Sequence, residues 1–528
     1  MIQKDFIVDL SDFQSKFREI TKSLSKAKVS AEIRVMIDTL IMFVTMMFEF
    51  VNKLIVQNEE QSKDINSLQD TISSLQATIK ELQRQLGLNS QNSSKPPSTD
   101  GFKKPRTKSL RQSSGKKVGG QKAHKGSCQK IPHEPDEVKQ HYPDKCLTCP
   151  HLSECKSSGS VFQCGQSRFV IDAKIETIVT EHQAMEVAHC PCSNEKLTAT
   201  FPGDVKAYTQ YGSTISVLAT IFNTFGAVST NRIQTIFKNL LDVTISEATI
   251  LSMIDKGASL VTDTVKQIKA HIETNSDIAH ADETGLNVNS QKYWVHTAST
   301  DKYTYLILHK RRGLEGVKAN GAIVDYKGVV VHDCWGPYFK LDNIKHSVCC
   351  AHILRELNGV IDAEESHVWA KRFKHLLLNM KKSKEQALDS NKTELDESLL
   401  KLLLKEYDEI LDYADIEFPS PKKVEGKGRG RTKKGKTRSL IERLRKLKDE
   451  VCRFVQDFTV PFDNNLAERD LRNIKTKIKV SGCFRTTEGA ENYLKIMSYI
   501  GTAKKNGINA VKALKAAFDG TPDIIFGQ

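Results

Sequence analysis

The sequence predicts an α/β domain in the second half of the chain, preceded by a coiled coil, a small zinc-binding domain and a helical segment. Three patterns carry this expectation. A heptad repeat runs through the first 88 residues, cysteines gather between residues 146 and 192, and beyond residue 275 apolar runs lead into acidic residues. At 528 residues the chain is too long for one domain. Lys plus Arg number 78 against 64 Asp plus Glu, and the resulting +14 favours a polyanionic partner, nucleic acid first. The most apolar stretch, Thr39 to Phe48, is bracketed by Asp38 and Glu49, so no membrane span is expected. The start shows no basic region leading into an apolar run, so the 12 Cys are read as reduced thiols in a cytoplasmic protein, available to a metal.

Residues 1–88 hold the repeat. Ile37, Val44, Val51, Asn58, Ile65, Ile72, Ile79 and Leu86 step by seven, with Leu40, Met47, Leu54, Gln61, Leu68, Leu75 and Leu82 three residues behind. β-Branched residues at one position and Leu at the other favour a parallel two-stranded coil, with Asn58 and Gln61 as a polar layer that sets register. A homodimer is therefore expected; the competing arrangement is one amphipathic helix packed on its own chain. Residues 89–130 lose the pattern to Ser, Gly, Pro and basic residues, including Lys103, Lys104 and Arg106. Such a linker serves as a solvated tether, as a non-specific phosphate contact, or as both.

Residues 131–205 contain Cys146-Leu-Thr-Cys149 and Cys190-Pro-Cys192. Four thiolates brought together suit one structural, tetrahedral Zn²⁺. The one-residue spacing of the second pair is tight, and Cys155, Cys164, His151 or His189 are alternative ligands; unliganded thiols are the plain alternative. Phe169 to Thr180 alternates as a strand would. Residues 206–274 read as helical, with Ser246 capping a helix in either a helix-turn-helix or a hairpin packed on the next domain.

The chemistry is expected from residues 275–352 and 460–528. Asp282 and Asp333 follow the apolar runs Ile278–Ala281 and Val329–Val331, where working residues of open α/β sheets sit. Glu468 lies on a helix that starts near Asp463 or Asn464, one of which is the expected cap. An Asp at a strand end is ordinarily a turn residue, but three such acids form an oxygen set suited to Mg²⁺. Two ions about 3.5–4 Å apart can activate an attacking oxygen on one side of a phosphodiester and steady the leaving oxygen on the other. Arg469, Arg472, Lys475 and Lys477 follow on the same segment and suit flanking phosphates; for Arg469 the alternative is an ion pair with Asp470.

Ala281-Asp-Glu-Thr-Gly285, Val331-His-Asp-Cys-Trp-Gly336, Cys350-Ala-His-Ile-Leu-Arg355 and Asp463-Asn-Asn-Leu-Ala-Glu-Arg-Asp-Leu-Arg472 closely resemble the motifs of transposases of the insertion sequence 66 family. The order of parts is similar over nearly the whole chain, with Lys122-Ala123 where the family usually has Pro-Gly. The resemblance implies a ribonuclease-H-like core, with Asp282, Asp333 and Glu468 as an Asp-Asp-Glu triad binding two Mg²⁺ or Mn²⁺. It also implies cleavage at transposon ends and strand transfer into target double-stranded DNA, a bacterial, nucleoid-associated protein, and accessory proteins of the same element as partners. A non-catalytic zinc- and zipper-containing DNA-binding regulator, and a metal-dependent nuclease without strand transfer, are the alternatives.

The long gap between Asp333 and Glu468 predicts a mainly helical insertion over residues 353–459. Its run from Lys422 to Arg438 is Gly-rich and basic, a loop for DNA contact or simply solvated. Trp369 is expected in a core rather than stacked on a base. Cys350, His352 and Arg355 belong to the shared motif; a second zinc site is one use for them.

Overall fold

The computed structural model describes residues 10–86, 133–159, 161–188, 192, 195–275, 278–363, 367–420 and 435–526. The basic linker with Lys103, Lys104 and Arg106, the residues His189 and Cys190, and the run 421–434 lie outside the described residues. Contacts divide the chain into two units, residues 1–88 and 89–528.

The first unit is a helical hairpin of α1 (Leu10–Lys26) and α2 (Ala31–Leu86). Arg34 at the start of α2 donates to the carbonyls of Leu24 (2.9 Å) and Ala27 (2.5 Å), satisfying acceptors that the end of α1 leaves without partners. Phe13 and Phe17 each come within 5.7 Å, centre to centre, of the Phe48 ring. The first half of α2 thus packs on its own chain, the arrangement that competes with the dimer. In the second half, the heptad residues Ile65, Leu68, Ile72, Leu75, Ile79 and Leu82 are all exposed. By length and composition alone, the stretch Ala31–Gln76 could also cross a bilayer.

The second unit begins with α3 (Asp144–Leu147), α4 (Leu152–Ser157) and a two-residue ladder of β1 (Glu186–Val187) and β2 (Leu197–Thr198). The strand expected over 169–180 does not form. The chain there finds no partner to pair with, and Val170, Ile178 and Val179 stay exposed. Alternation marks a strand only when a neighbour accepts its backbone.

Four helices follow: α5 (Ser213–Asn223), α6 (Thr230–Leu241), α7 (Glu247–Leu260) and α8 (Thr262–Asn275). Asp242 ends α6 in the left-handed region, and the Ser246 side chain accepts from the Thr249 amide (3.1 Å) to start α7. The inner face of α7, with Ile250, Met253, Ile254 and Ala258, is buried with Val217 and Ile221 of α5. The segment is helical and packs into the core it shares with β3.

The sheet strands are β3 (Ile278–Val288), β4 (Gln291–Ser299), β5 (Thr304–His309), β6 (Val329–His332) and β7 (Lys345–Val348), in spatial order β5-β4-β3-β6-β7. The pairs β3·β4 and β4·β5 are antiparallel, while β3·β6 and β6·β7 are parallel, so the sheet is mixed. Helix α9 (Leu314–Asn320) lies between β5 and β6. Helices α10 (Cys350–Ala363), α11 (Val368–Asp389), α12 (Glu397–Glu417), α13 (Lys436–Lys446) and α14 (Lys448–Gln456) follow β7. The chain ends on α15 (Asn465–Ser481), α16 (Thr487–Lys505) and α17 (Ala510–Phe518).

Each face of the sheet is covered. Ala279 and Ala281 of β3 join α5–α8, α16 and α17 in one core, while Val329 and Val331 of β6 join α10–α14 in a second. Trp369 is fully buried in that second core, as expected. Leu286, Val288, Tyr293 and Val295 meet Leu471 and Ile474 of α15 in a third core, which sets α15 across β3 and β4.

A buried polar knot locks α15 to the sheet. Asp470 Oδ2 accepts from Ser299 Oγ (2.6 Å), Thr304 Oγ1 (2.8 Å) and Lys505 Nζ (2.8 Å). Burial pulls Lys505 below the ordinary lysine range, and the Asp470 carboxylate opposes that fall. Removing one partner of a buried pair leaves the other uncompensated. Asp470→Ala is expected to cost about 3 kcal/mol in urea unfolding. The double replacement Asp470→Leu with Lys505→Met is expected to cost less than the single; an equal or larger loss would refute the lock.

Candidate active site

Register dictates where two acids stand. Ile278, Ala279 and His280 of β3 pair in parallel with Val329, Val330 and Val331 of β6. Continued two residues further, this register sets Asp282 level with Asp333 on neighbouring strands, which run about 4.8 Å apart. Level residues of parallel strands face the same side. That side is the one of Val329 and Val331, and of Leu286 and Val288 beneath α15. Asp282 is not at a strand end as expected. It lies inside the eleven-residue β3, opposite Thr297 of β4, and only the parallel pairing with β6 has ended there.

Glu468 lies in the first turn of α15, and one residue fixes how that helix enters. His280 Nδ1 donates to Asn464 Oδ1 (2.8 Å), Asn464 Nδ2 donates to the Ala281 carbonyl (2.8 Å), and the Asn464 amide donates to Cys349 Sγ (3.2 Å). Asn464 is the N-cap residue by position, but its side chain makes no capping bond, having been committed to β3 instead. Asp463 takes over locally by accepting from the Asn465 amide (3.1 Å).

Asp282 feels its acidic neighbours. Burial, then the neighbouring Glu283 and the charges of Asp333 and Glu468, push the Asp282 carboxyl from 3.8 up to about 8. The Asp333 carboxyl rises to about 6, first through burial and then through Glu283; the Trp335 amide donates to its Oδ1 (2.9 Å) and opposes the rise. Carboxylates so placed are oxygen donors kept from water with too little positive charge nearby, which fits a hard divalent cation.

Beside them sits a neutralised acid that the sequence alone does not single out. Glu283, on the opposite face of β3, is buried; Arg312 Nε and Nη2 donate to its Oε1 (2.8 and 2.7 Å), and the Tyr338 hydroxyl donates to its Oε2 (2.7 Å). The Arg312 guanidinium lies over the Trp335 ring (4.2 Å) and over the Trp294 ring (5.1 Å), an ion-paired cation close to Asp333.

The motif after β7 resolves differently from expectation. Cys350 points into the helical core, its Sγ 3.5 Å from the Val451 carbonyl. Its neighbour Cys349 faces α15 and forms, with His352 and Glu468, the one group of three or more metal-ligating side chains converging among the described residues. Arg355 Nη2 stands 3.5 Å from Glu468 Oε1. Cys146, Cys149, Cys155, Cys164 and Cys192 are all free thiols, and among the described residues no three of them converge. Cys190, the remaining expected ligand, lies outside those residues.

Of the cations after Glu468, Arg469, Arg472 and Lys475 are exposed. Asp470 is taken by Lys505, not by Arg469. Lys477 corrects the expectation of a phosphate contact: it is buried, and its Nζ donates to the Asn223 carbonyl (2.8 Å) and Oδ1 (3.1 Å). Helical period explains the split, since Lys477 shares the inner face with Ile474 and Leu471.

Fold and site together define an α/β protein in which buried Asp282 and Asp333, both with raised proton affinity, lie near a helix that carries Glu468 and exposed cations. The family model described as "Transposase IS66 family" matches residues 213–492, more than half of the chain. The chain belongs to that family, a transposase family that acts on DNA and implies a divalent metal. A second model, a family of unknown function (DUF6444), matches residues 22–130. No curated protein matches the chain.

The raised Asp282 value has a definite sign. Below pH 3.8 folded and unfolded chains both hold the proton; between there and about pH 8 only the folded chain keeps it, so stability falls as pH rises through that window. In EDTA, Asp282→Asn is therefore expected to melt above the wild type at pH 8 and level with it near pH 4. Calorimetry showing the variant no more stable at pH 8 would contradict the pocket electrostatics.

Proposed function

We propose that this chain is a DDE-type transposase that binds the ends of an insertion sequence, cleaves DNA strands and transfers them to a target. What supports this is the parallel register of β3 and β6, which extended by two residues sets Asp282 level with Asp333, together with the charge of Glu468 acting on Asp282. We read the five-stranded mixed sheet as the ribonuclease-H-like core that the family resemblance implies.

Asp282, Asp333 and Glu468 are the ligands for two Mg²⁺ or Mn²⁺. Bound there, the ions supply charge that eases attack on the phosphorus and departure of the leaving oxygen. The protein's own part is geometric. Asn464 holds α15 in place through His280 and Ala281, and the Glu283–Arg312–Tyr338 cluster stiffens β3 beneath Asp282. Arg469, Arg472 and Lys475 face outward along the helix that carries Glu468 and grip the phosphates on either side of the scissile bond. Lys103, Lys104 and Arg106 add sequence-independent affinity that weakens with salt.

The exposed heptad residues in the second half of α2 support a homodimer through residues 1–88, which would bring two active sites to paired transposon ends. Cys146, Cys149, Cys190 and Cys192 are assigned to one structural Zn²⁺. The same reading makes the protein cytoplasmic and nucleoid-associated, with accessory proteins of the same element as partners.

Alanine at Asp282, Asp333 or Glu468 is expected to reduce cleavage of a transposon-end duplex by at least about 10³-fold while leaving its binding within about twofold. Full cleavage by any one variant removes that residue from the triad. Cleavage by the wild type with no joined product, when a free 3′-hydroxyl and target DNA are supplied, would reduce the protein to a nuclease. For the basic face, Arg469→Ala with Arg472→Ala is expected to lower the slope of log affinity against log salt by about 1–2. An unchanged slope would place the duplex elsewhere.

A further inference from the structure

We infer that Cys349, His352 and Glu468 form a binding site for a zinc-class transition-metal ion, separate in chemistry from the all-oxygen site of Asp282 and Asp333. One ligand atom from each residue lies within 4.8 Å of the other two, a set that small side-chain turns contract to coordination distance. The donors are one sulfur, one imidazole nitrogen and one carboxylate oxygen. Mg²⁺ avoids sulfur, whereas Zn²⁺ accepts this mixture and keeps a fourth position for water.

Two independent features of the surroundings suit such an ion. The Asn464 amide already donates to Cys349 Sγ (3.2 Å), the outer-shell bond that steadies a ligating sulfur. His352 Nδ1 is buried without a hydrogen-bond partner, a cost that a buried ring nitrogen sheds by meeting a partner or an ion. The Cys349 amide donates to the His332 carbonyl (2.8 Å) and the His352 amide to the Cys349 carbonyl (3.2 Å), so the two ligands are fixed relative to the end of β6. Binding replaces the Cys349 S–H bond with a sulfur–metal bond and releases that proton to solvent; nothing is oxidised. Glu468 is shared with the proposed triad, but the site rests on the convergence of its own three ligands and stands whether or not Glu468 takes part in phosphoryl transfer.

The test uses the full-length chain without DNA, so that failure of the catalytic reading leaves it untouched. With Cys146, Cys149, Cys155, Cys164, Cys190 and Cys192 changed to Ser to silence the cysteines of residues 131–205, Co²⁺ is titrated in excess Mg²⁺. Uptake of one Co²⁺ per chain with a sulfur-to-cobalt charge-transfer band is expected. Cys349→Ser in that background should abolish the band, and His352→Ala should weaken binding by at least about tenfold. No charge-transfer band, or one that survives Cys349→Ser, overturns the site. Should the six-serine chain not fold, bound zinc is counted in the otherwise unaltered protein. Loss of one equivalent on Cys349→Ser supports the site, and an unchanged count overturns it.

Discussion

Like charges withdrawn from water repel unless a cation stands between them, and this constraint bears on the surroundings of Asp282 and Asp333. Asp282, Asp333 and Glu468 come from a strand interior, a strand end and a helix, and burial, with the charges of Glu283, Asp333 and Glu468 nearby, lifts the Asp282 proton affinity far above the usual carboxylate range. Such a pocket costs stability and persists only because its frame is rigid. The parallel register of β3 and β6 holds the first two acids level. Asn464 and the Asp470–Lys505 knot hold the helix that presents the third.

The neighbouring groups show how the fold separates charge that is to be used from charge that is to be neutralised. Glu283 sits one residue from Asp282 but points to the other face of β3, where Arg312 and Tyr338 satisfy both of its oxygens. Asp470 sits two residues from Glu468, and its Oδ2 accepts from Ser299, Thr304 and Lys505. Asp282 and Asp333, on one face of the sheet, accept instead from the backbone amides of Glu283 and Trp335, while Glu468 faces Arg355. Cations obey the same division: Lys477 spends its charge on Asn223 inside the domain, while Arg469, Arg472 and Lys475 keep theirs at the surface.

Much of this was legible in the sequence because it depends on local pattern. Apolar runs leading into Asp282 and Asp333 marked two sheet positions, and the motif around Glu468 marked a helix start. The remainder depends on tertiary partners. The alternating stretch 169–180 lacks a strand to pair with, so its pattern produced no strand. Asn464 reads as a cap until His280 and Ala281, some 180 residues away in the chain, claim its side chain. Cys349 and Cys350 are indistinguishable in sequence; only the turn into α10 sends one toward Glu468 and the other into the helical core. For Lys477 a signal did exist, since a helical wheel drawn from Leu471 and Ile474 turns it inward.

On the proposed reading, three acids distant in sequence form one pocket for a pair of hard cations. Anomalous diffraction from crystals of the full-length protein with a transposon-end duplex and Mn²⁺ tests this most directly. Two manganese peaks are expected about 3.5–4 Å apart, ligated by carboxylate oxygens of Asp282, Asp333 and Glu468. Manganese bound elsewhere, or these three carboxylates left without metal beside the bound DNA, would contradict it.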